Sequence, residues 1–330
     1  MNEPIHDIAR IGHAELLTTQ PERSLDFFTE VLGMEIEARE GRSVFLRGYG
    51  DYLRYSLKLT EAPSTGLGHL ALRTWSQEAL QRRVRAVERS GLGLGWIDGD
   101  LGHGPAYRFT DPDGHVMELY YEAERYVPPE HLRPALKNQP QRYTGRGVGV
   151  KRLDHVNVLA ADVAANREFA QRVLGYRLHE KVQLNDGSES GAWLSASIAA
   201  HELIYTADAY GARGRLHHLA FWVDTREEVL RAADLFLDRG VHIEFAPSKH
   251  AIAQGFFLYG YEPAGNRVEV TTGGYFVFDP DFEPIVWTEE ERARGQAWGV
   301  PTVATFHTYG TPPVEPAADV LEVGRGAREG

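Results

Sequence analysis

Two histidines and one glutamate recur in the same order in the two halves of this 330-residue chain. The second half supplies His155, His218 and Glu269, and the first half supplies His13, His69 and Glu118. Two imidazoles and one carboxylate on one side of a metal ion leave neighbouring coordination positions free for two other molecules. The pattern therefore predicts a divalent metal centre, although Fe(II), Mn²⁺ and Zn²⁺ all accept these donors.

The glutamate of the second half lies in a segment that predicts a β-hairpin. Residues 256–259 are an aromatic and apolar run typical of a buried strand. A turn separates them from residues 267–270, which alternate as a second strand with Glu269 on the face opposite to its valine neighbours. The hairpin would bring together His250, Tyr259 and Glu269, three groups capable of proton or metal chemistry.

His218 has a histidine neighbour, and strand alternation decides between the two. Adjacent residues of a strand point to opposite faces, so only one of them can share a face with the other ligands. The repeat aligns His69 with His218 and Gly68 with His217. Both arguments favour His218 as the ligand.

The repeat extends to whole elements. The strand and helix around His13 align without a gap with those around His155, and the order strand, helix, strands occurs twice in each half. The chain therefore predicts an α+β protein of four βαβββ-like units in two domains. The predicted divisions are an N-terminal domain at residues 1–135, a linker at 136–150, a C-terminal domain at 151–288, and a helix and tail at 289–330.

Composition disfavours several classes of function. The chain has no cysteine, which excludes disulfides, thiolate metal ligands and cysteine nucleophiles. A net charge of −12 disfavours nucleic acid and anionic membranes as partners. No apolar run is long enough to span a bilayer and the first residues show no signal pattern, so we expect a cytoplasmic protein.

The hairpin segment resembles the signature of type I extradiol ring-cleavage dioxygenases, a family within the vicinal oxygen chelate superfamily. The matching positions are His250, Leu258, Tyr259, Glu262, Pro263, Gly265 and Glu269. Ser248 departs from the usual flanking residue, which is Gly, Asn or a small apolar one. The resemblance implies that each domain is a pair of βαβββ units forming a half-open mixed barrel, and that the N-terminal domain is non-catalytic.

The resemblance also implies a reaction and its residues. Members of the family cleave catechols with O₂ at a ferrous ion, giving 2-hydroxymuconic semialdehyde-type products in the catabolism of aromatic compounds. The resemblance also implies that this protein forms a homotetramer. By this resemblance, His155, His218 and Glu269 bind Fe(II). The other implied residues are His201 as acid–base catalyst beside the O₂ site, His250 and Tyr259 as hydrogen-bonding partners of the substrate oxygens, and Asn157 and Trp193 as pocket lining.

The triad of the first half is expected to be inactive. Arg108 occupies the repeat position of Tyr259, where a cation would repel a metal and cannot serve as a phenol. In the family that the chain resembles, the N-terminal half is a structural relic. We therefore expect about one iron per chain, which is retained when His13 is replaced by alanine.

Two other functions fit parts of the pattern. Another metal enzyme of the superfamily, such as a glyoxalase-like lyase, would share the fold and a triad but lack the group of His201, His250 and Tyr259. A non-catalytic protein that binds an aromatic ligand would not need His218 and Glu269 as ligands.

The segment before His250 bears on the substrate. Residues 244–249 contain no arginine that could bind a carboxylate, which favours catechol or alkyl-substituted catechols over acidic ones. Arg292 could still supply charge, but we expect it on an exposed helix in solvent.

Overall fold

The computed structural model describes residues 6–314, which form two mixed β-sheets, one for each half of the chain. Each sheet is built from two βαβββ units, so the predicted fold class is confirmed. Residues 315–330 of the predicted tail lie outside the described residues. Within residues 6–314, no helix has the length and apolarity that a bilayer crossing requires.

The N-terminal domain comprises an eight-stranded sheet and two helices. The elements are β1 (Ile8–Thr18), α1 (Pro21–Asp26), β2 (Glu35–Glu40), β3 (Ser43–Arg47), β4 (Leu57–Glu61), β5 (Gly66–Thr74), α2 (Gln77–Ser90), β6 (Gly93–Ile97), β7 (Ala106–Thr110) and β8 (Val116–Tyr120). A π-helical turn (Phe27–Val31) extends α1, and the strand order is β2-β3-β4-β1-β5-β8-β7-β6. A 3₁₀ turn (Glu130–Leu132) lies in the connection to the second sheet.

The C-terminal sheet repeats this plan with one additional strand. The elements are β9 (Arg152–Ala160), α3 (Val163–Phe169), β10 (Arg177–Gln183), β11 (Glu189–Ser195), β12 (Leu203–Ala207), β13 (Arg215–Trp222), α4 (Arg226–Asp238), β14 (Ile243–Lys249), β15 (Gly255–Tyr261), β16 (Arg267–Gly273), β17 (Ile285–Thr288) and α5 (Glu289–Ala293). A π-helical turn (Ala170–Leu174) extends α3, and 3₁₀ turns lie at Ala297–Gly299 and Ala304–Phe306. The strand order is β14-β15-β16-β13-β9-β12-β11-β10-β17.

Strand register aligns the candidate ligands within each sheet. Ala220 of β13 pairs with His155 of the antiparallel β9 and with Glu269 of the parallel β16. His218 lies two residues before Ala220 and therefore shares a face of β13 with it. The sheet thus presents the three side chains to one cavity.

Aromatic side chains of one domain pack against those of the other. The ring of Phe27, which follows α1, lies 5.8 Å from that of Phe236 in α4, and Phe109 of β7 lies 6.1 Å from Phe169 of α3. Burial of these rings stabilises the pairing of domains by the hydrophobic effect.

The acidic residue of the hairpin signature also joins the domains. Glu262 Oε2 accepts a hydrogen bond of 2.5 Å from Ser24 Oγ, and Glu262 Oε1 accepts one from the backbone N–H of Asn266. Glu262 is buried and lies in the turn before β16. The residue therefore stabilises the turn and the domain contact rather than lining the metal-binding cavity.

Two buried arginines hold the last described segment against the C-terminal sheet. Arg215 of β13 donates to the backbone oxygens of Thr308 and Gly310. Arg267 of β16 donates to that of Tyr309 and forms an ion pair with Glu244. These contacts fix the segment that follows α5 at the mouth of the cavity.

Candidate metal centre and substrate pocket

The predicted ligands of the second half meet at a single point in the cavity. His155 Nε2 lies 3.1 Å from both His218 Nε2 and Glu269 Oε2, and His218 Nε2 lies 3.0 Å from Glu269 Oε2. All three side chains are buried. Cis ligands of an octahedral ion with bonds of about 2.1 Å lie about 3.0 Å apart, so these spacings fit one face of an octahedron.

A chain of hydrogen bonds fixes the tautomer of His218. The backbone oxygen of Phe306 can only accept, so His217 Nε2, at 2.7 Å, carries a proton and donates it. His217 Nδ1 is then the acceptor for His218 Nδ1, at 2.6 Å. His218 Nε2 is left with a bare lone pair facing the other ligands, as metal binding requires.

His155 is oriented in a simpler way. Its Nδ1 lies 3.1 Å from the carboxylate oxygen Oδ2 of Asp154, the preceding residue. A carboxylate that accepts from the far nitrogen of a ligand histidine sets the ring orientation and raises the basicity of the other nitrogen.

The carboxylate of Glu269 supplies the cavity with a negative charge that a cation can bind. Burial opposes ionisation of Glu269, but the neighbouring histidines, led by His155, hold its pKa well below the usual range. Burial lowers the pKa of His218 to about 4, whereas for His155 the opposing effect of Glu269 and Asp154 raises the pKa to about 9. Glu269 Oε1 is buried and has no hydrogen-bond partner among the described residues. The donor set therefore fits a divalent metal ion.

A second layer of polar groups lies beside the triad. Tyr259 pairs across the hairpin with Glu269, and its hydroxyl lies 3.2 Å from His250 Nε2. His250 Nδ1 lies 3.0 Å from Gln296 Oε1, and its ring stacks on Phe257 with centroids 3.7 Å apart. His250 Nε2 is thereby free to accept the hydrogen bond of Tyr259.

His201 lies on the other side of His155. The two rings meet edge to face with centroids 4.4 Å apart, and His201 Nδ1 is buried without a hydrogen-bond partner among the described residues. Burial lowers the pKa of His201 well below its ordinary value, so its imidazole is neutral and has a lone pair available to a hydrogen-bond donor in the pocket.

The remaining predicted residues line the same pocket. Asn157 lies two residues after His155 on β9, and its Oδ1 is buried without a hydrogen-bond partner among residues 6–314. Trp193 of β11 contributes an aromatic wall. The structure thus brings all eight predicted site residues around one cavity.

Several lining residues carried no signal in the sequence. They are Ile252, Trp287, Gln296 and Phe306. Most lie on β17 or in the segment that follows α5, which no repeat or motif covers. Arg292, expected in solvent, lines the pocket with its Nη1 2.9 Å from Thr302 Oγ1. That expectation is corrected: α5 packs over the cavity mouth and turns this side chain inward.

Comparison with known proteins identifies the family. A family model described as the Glyoxalase/Bleomycin resistance protein/Dioxygenase superfamily matches residues 10–119 and 152–270, one match for each sheet. The chain belongs to this superfamily.

Relatives narrow the assignment within the superfamily. A metapyrocatechase from Geobacillus stearothermophilus is 43% identical over 94% of this chain and 95% of its own. A manganese-dependent 2,3-dihydroxybiphenyl 1,2-dioxygenase from Geobacillus genomosp. 3 is 36% identical over 88% and 94%. The solved homoprotocatechuate 2,3-dioxygenase of Brevibacterium fuscum, in its anaerobic substrate complex, superposes with a TM-score of 0.83 at 26% identity and covers 96% of each chain.

These relatives confirm the predicted resemblance to extradiol dioxygenases and the predicted enzyme class. Membership of the superfamily alone would also accommodate a glyoxalase-like lyase or a ligand-binding protein. Both alternatives are disfavoured, because the relatives that match along nearly the whole chain are ring-cleavage dioxygenases.

Proposed function

We propose that this extradiol dioxygenase cleaves catechol or alkyl-substituted catechols with O₂, using Fe(II) held by His155, His218 and Glu269. The observation that carries the proposal is the triad itself, with donor atoms 3.0–3.1 Å apart at the wall of a pocket that also contains His201, His250 and Tyr259. The product would be of the 2-hydroxymuconic semialdehyde type, formed in the catabolism of aromatic compounds.

When bound, the metal ion would neutralise the charge of the deprotonated diol and provide a route for electrons between the diol and O₂. The protein residues handle protons. Tyr259 keeps its hydroxyl proton, because burial raises its pKa well above the ordinary value. When substrate is bound, the hydroxyl can donate to a substrate oxygen in place of His250 Nε2. His201 is neutral and can accept a proton from the substrate and later return it.

The ligand set alone does not distinguish Fe(II) from Mn(II). Both accept a face of two imidazoles and one carboxylate with open positions, and one relative is named as manganese-dependent. Fe(II) is proposed because a facial triad with open positions is typical of non-haem iron oxygenases.

Reconstitution tests the proposal. Metal is removed, either Fe(II) or Mn(II) is added under anaerobic conditions, and catechol is then supplied with air. We expect a yellow product with equivalent O₂ uptake, fastest with Fe(II). Neither colour nor O₂ uptake with either metal would contradict the proposal, and catechol binding without turnover would then indicate a ligand-binding protein.

Arg292 gives the pocket one guanidinium group that has no carboxylate partner among the described residues. We propose that it borders the ring substituent, which widens the range of candidate substrates to catechols with an acidic side chain. Comparing catechol, 4-methylcatechol and 3,4-dihydroxyphenylacetate tests this. Replacement Arg292→Gln should raise KM only for the acidic substrate, and an equal effect on all three would contradict the role.

We also propose a homo-oligomer, with a tetramer as the expected form. Support comes from apolar side chains exposed near the β17 edge of the sheet. They are Phe276, Phe278, Ile285 and Val286. Exposed apolar side chains gathered in one region are typical of protein–protein contacts.

A further inference from the structure

The N-terminal domain holds a second cluster of metal-binding side chains, which the proposed function does not use. Ala71 pairs with both His13 and Glu118, so this triad repeats the register of the C-terminal one. His13 Nε2 lies 3.0 Å from His69 Nε2 and 3.4 Å from Glu118 Oε1, and His69 Nε2 lies 3.5 Å from the same oxygen. All three side chains are buried.

A third histidine lies beside this cluster and comes from outside the repeat. His103 lies in the loop between β6 and β7, and its Nε2 is 3.5 Å from Glu118 Oε1. Bridges of the His103 backbone to Asp100 and Ala123 fix the loop. The rings of Tyr55 and Tyr120 enclose the cluster, with centroids 4.6 Å from His13 and 4.8 Å from His103 respectively.

Hydrogen bonds on the outer nitrogens determine where the lone pairs point. His103 Nδ1 lies 2.9 Å from the backbone oxygen of Gly104, which can only accept, so this nitrogen carries the proton. His69 Nδ1 lies 2.9 Å from the carboxylate of Glu15, which accepts in the same way. When each ring carries one proton, on Nδ1, the Nε2 lone pairs of both rings therefore face Glu118.

In this arrangement, buried hydrogen-bond acceptors face one another without a donor between them. His103 Nε2 and Glu118 Oε1 have no hydrogen-bond partner among the described residues. Buried acceptors without donors are costly, and a cation between them removes the cost. The outer hydrogen bonds are also those that orient histidines in metal sites.

We infer that the N-terminal domain binds a second divalent metal ion, with Zn²⁺ in tetrahedral coordination as the best fit. The ligands are His13, His69 and Glu118, whose donor atoms all lie within 4.8 Å of one another. Donors of a tetrahedral zinc ion with bonds of about 2.0–2.1 Å lie about 3.4 Å apart. Two of the three donor spacings of this triad are 3.4–3.5 Å, wider than the 3.0–3.1 Å of the C-terminal triad.

Arg108 does not oppose this site as the sequence suggested. Its Nε lies 3.3 Å from Glu118 Oε2, whereas the histidines face Oε1. The guanidinium therefore neutralises the outer oxygen and leaves the inner one for the metal. Tyr55, Tyr120 and His103 pack against the triad, so the site is enclosed and the domain stays non-catalytic. The inference departs from the expectation of one metal per chain.

Zinc content of matched variants tests the inference. The whole protein is loaded with Zn²⁺, excess ion is removed, and the bound zinc is measured by inductively coupled plasma mass spectrometry. We expect two equivalents in the wild type, one after His155→Ala with Glu269→Gln, and none when Glu118→Gln is added. A wild type that retains one equivalent, together with a variant lacking His155 and Glu269 that retains none, would overturn the inference.

Cobalt spectroscopy tests the coordination without an N-terminal substitution. The variant His155→Ala with Glu269→Gln is loaded with Co²⁺ and its visible spectrum is recorded. Four-coordinate tetrahedral Co²⁺ gives intense visible bands, and we expect these. The weak bands of a six-coordinate ion, or no bound Co²⁺, would contradict a tetrahedral site in this domain.

Discussion

His201 and Tyr259 differ from the metal ligands in what they can do. The ligands hold charge at one point, while Tyr259 offers a proton that burial retains and His201 offers a neutral nitrogen without a partner. Loss of general acid–base assistance costs about 10²–10⁴-fold in rate, while loss of a ligand removes the metal. The two kinds of residue are therefore separable by experiment.

Replacement of either proton-handling residue should slow turnover and spare the metal. We expect His201→Ala and Tyr259→Phe each to lower kcat by about 10²-fold or more with unchanged metal content. Tyr261→Phe is the matched control, because its hydroxyl bonds Glu244 and lies outside the pocket lining. Unchanged kcat in both variants would remove these residues from the proposed chemistry.

His217 acts on the metal only through His218. Replacement His217→Phe removes the acceptor for His218 Nδ1, and we expect metal affinity to fall by about 10- to 100-fold, the range for residues that orient ligands. His217→Gln should restore most of the affinity, because its amide can accept from His218 and donate to the Phe306 carbonyl. Competition with a chelator measures both values. Equal affinity in all three proteins would contradict the relay.

At the scale of elements, the sequence predicted what is local or repeated. The hairpin of β15 and β16, the ligand positions on β9 and β13, and the choice of His218 over His217 follow from alternation and spacing. Alternation and spacing did not predict that Gln296 and Phe306 cover the pocket. The segment that follows α5 is distant in sequence from the sheet, and buried Arg215 and Arg267 hold it there. His103 was missed because it lies in a loop without a repeat partner.

The contact between domains contains a buried histidine whose protonation affects stability. His115 Nδ1 lies 2.7 Å from Asp111 Oδ2, and His115 Nε2 lies 3.2 Å from the backbone oxygen of Arg215 in the other domain. Burial alone would lower the pKa of His115, but Asp111 outweighs it and the pKa is raised. Its protonated form donates to both acceptors, so the contact is strongest when the ring is charged.

This histidine predicts a pH-dependent stability. A raised folded-state pKa gives stability that is fully present below the unfolded pKa of about 6.5 and is lost as pH rises through the folded value. The difference in Tm between wild type and His115→Gln should therefore shrink as pH rises above about 6.5. His131→Gln, at an exposed histidine, should show no such change. A constant difference across this range would exclude the role.

At the scale of the whole molecule, the exposed apolar side chains beside β17 predict association. Light scattering should give a mass of about four times that of the 36.9 kDa chain. Replacement Phe278→Ser places a polar group among the exposed apolar residues and should shift the protein to smaller species. A monomer in the wild type, or an unchanged mass in the variant, would contradict the tetramer or its location.

The duplicated fold explains how one chain can hold two similar triads with different uses. Both triads lie at the same register, but the C-terminal one adjoins a pocket lined by His201, His250 and Tyr259, and Tyr55 and His103 enclose the N-terminal one. Access for substrate, rather than the ligand set, distinguishes the two domains.

The position of the metal tests the account most directly. A crystal grown with Fe(II) under anaerobic conditions and measured at the iron absorption edge should show an anomalous peak among His155 Nε2, His218 Nε2 and Glu269, within about 2.0–2.3 Å of each donor atom. An empty C-terminal cavity in iron-loaded, active protein, or iron bound away from these three side chains, would contradict the proposed centre.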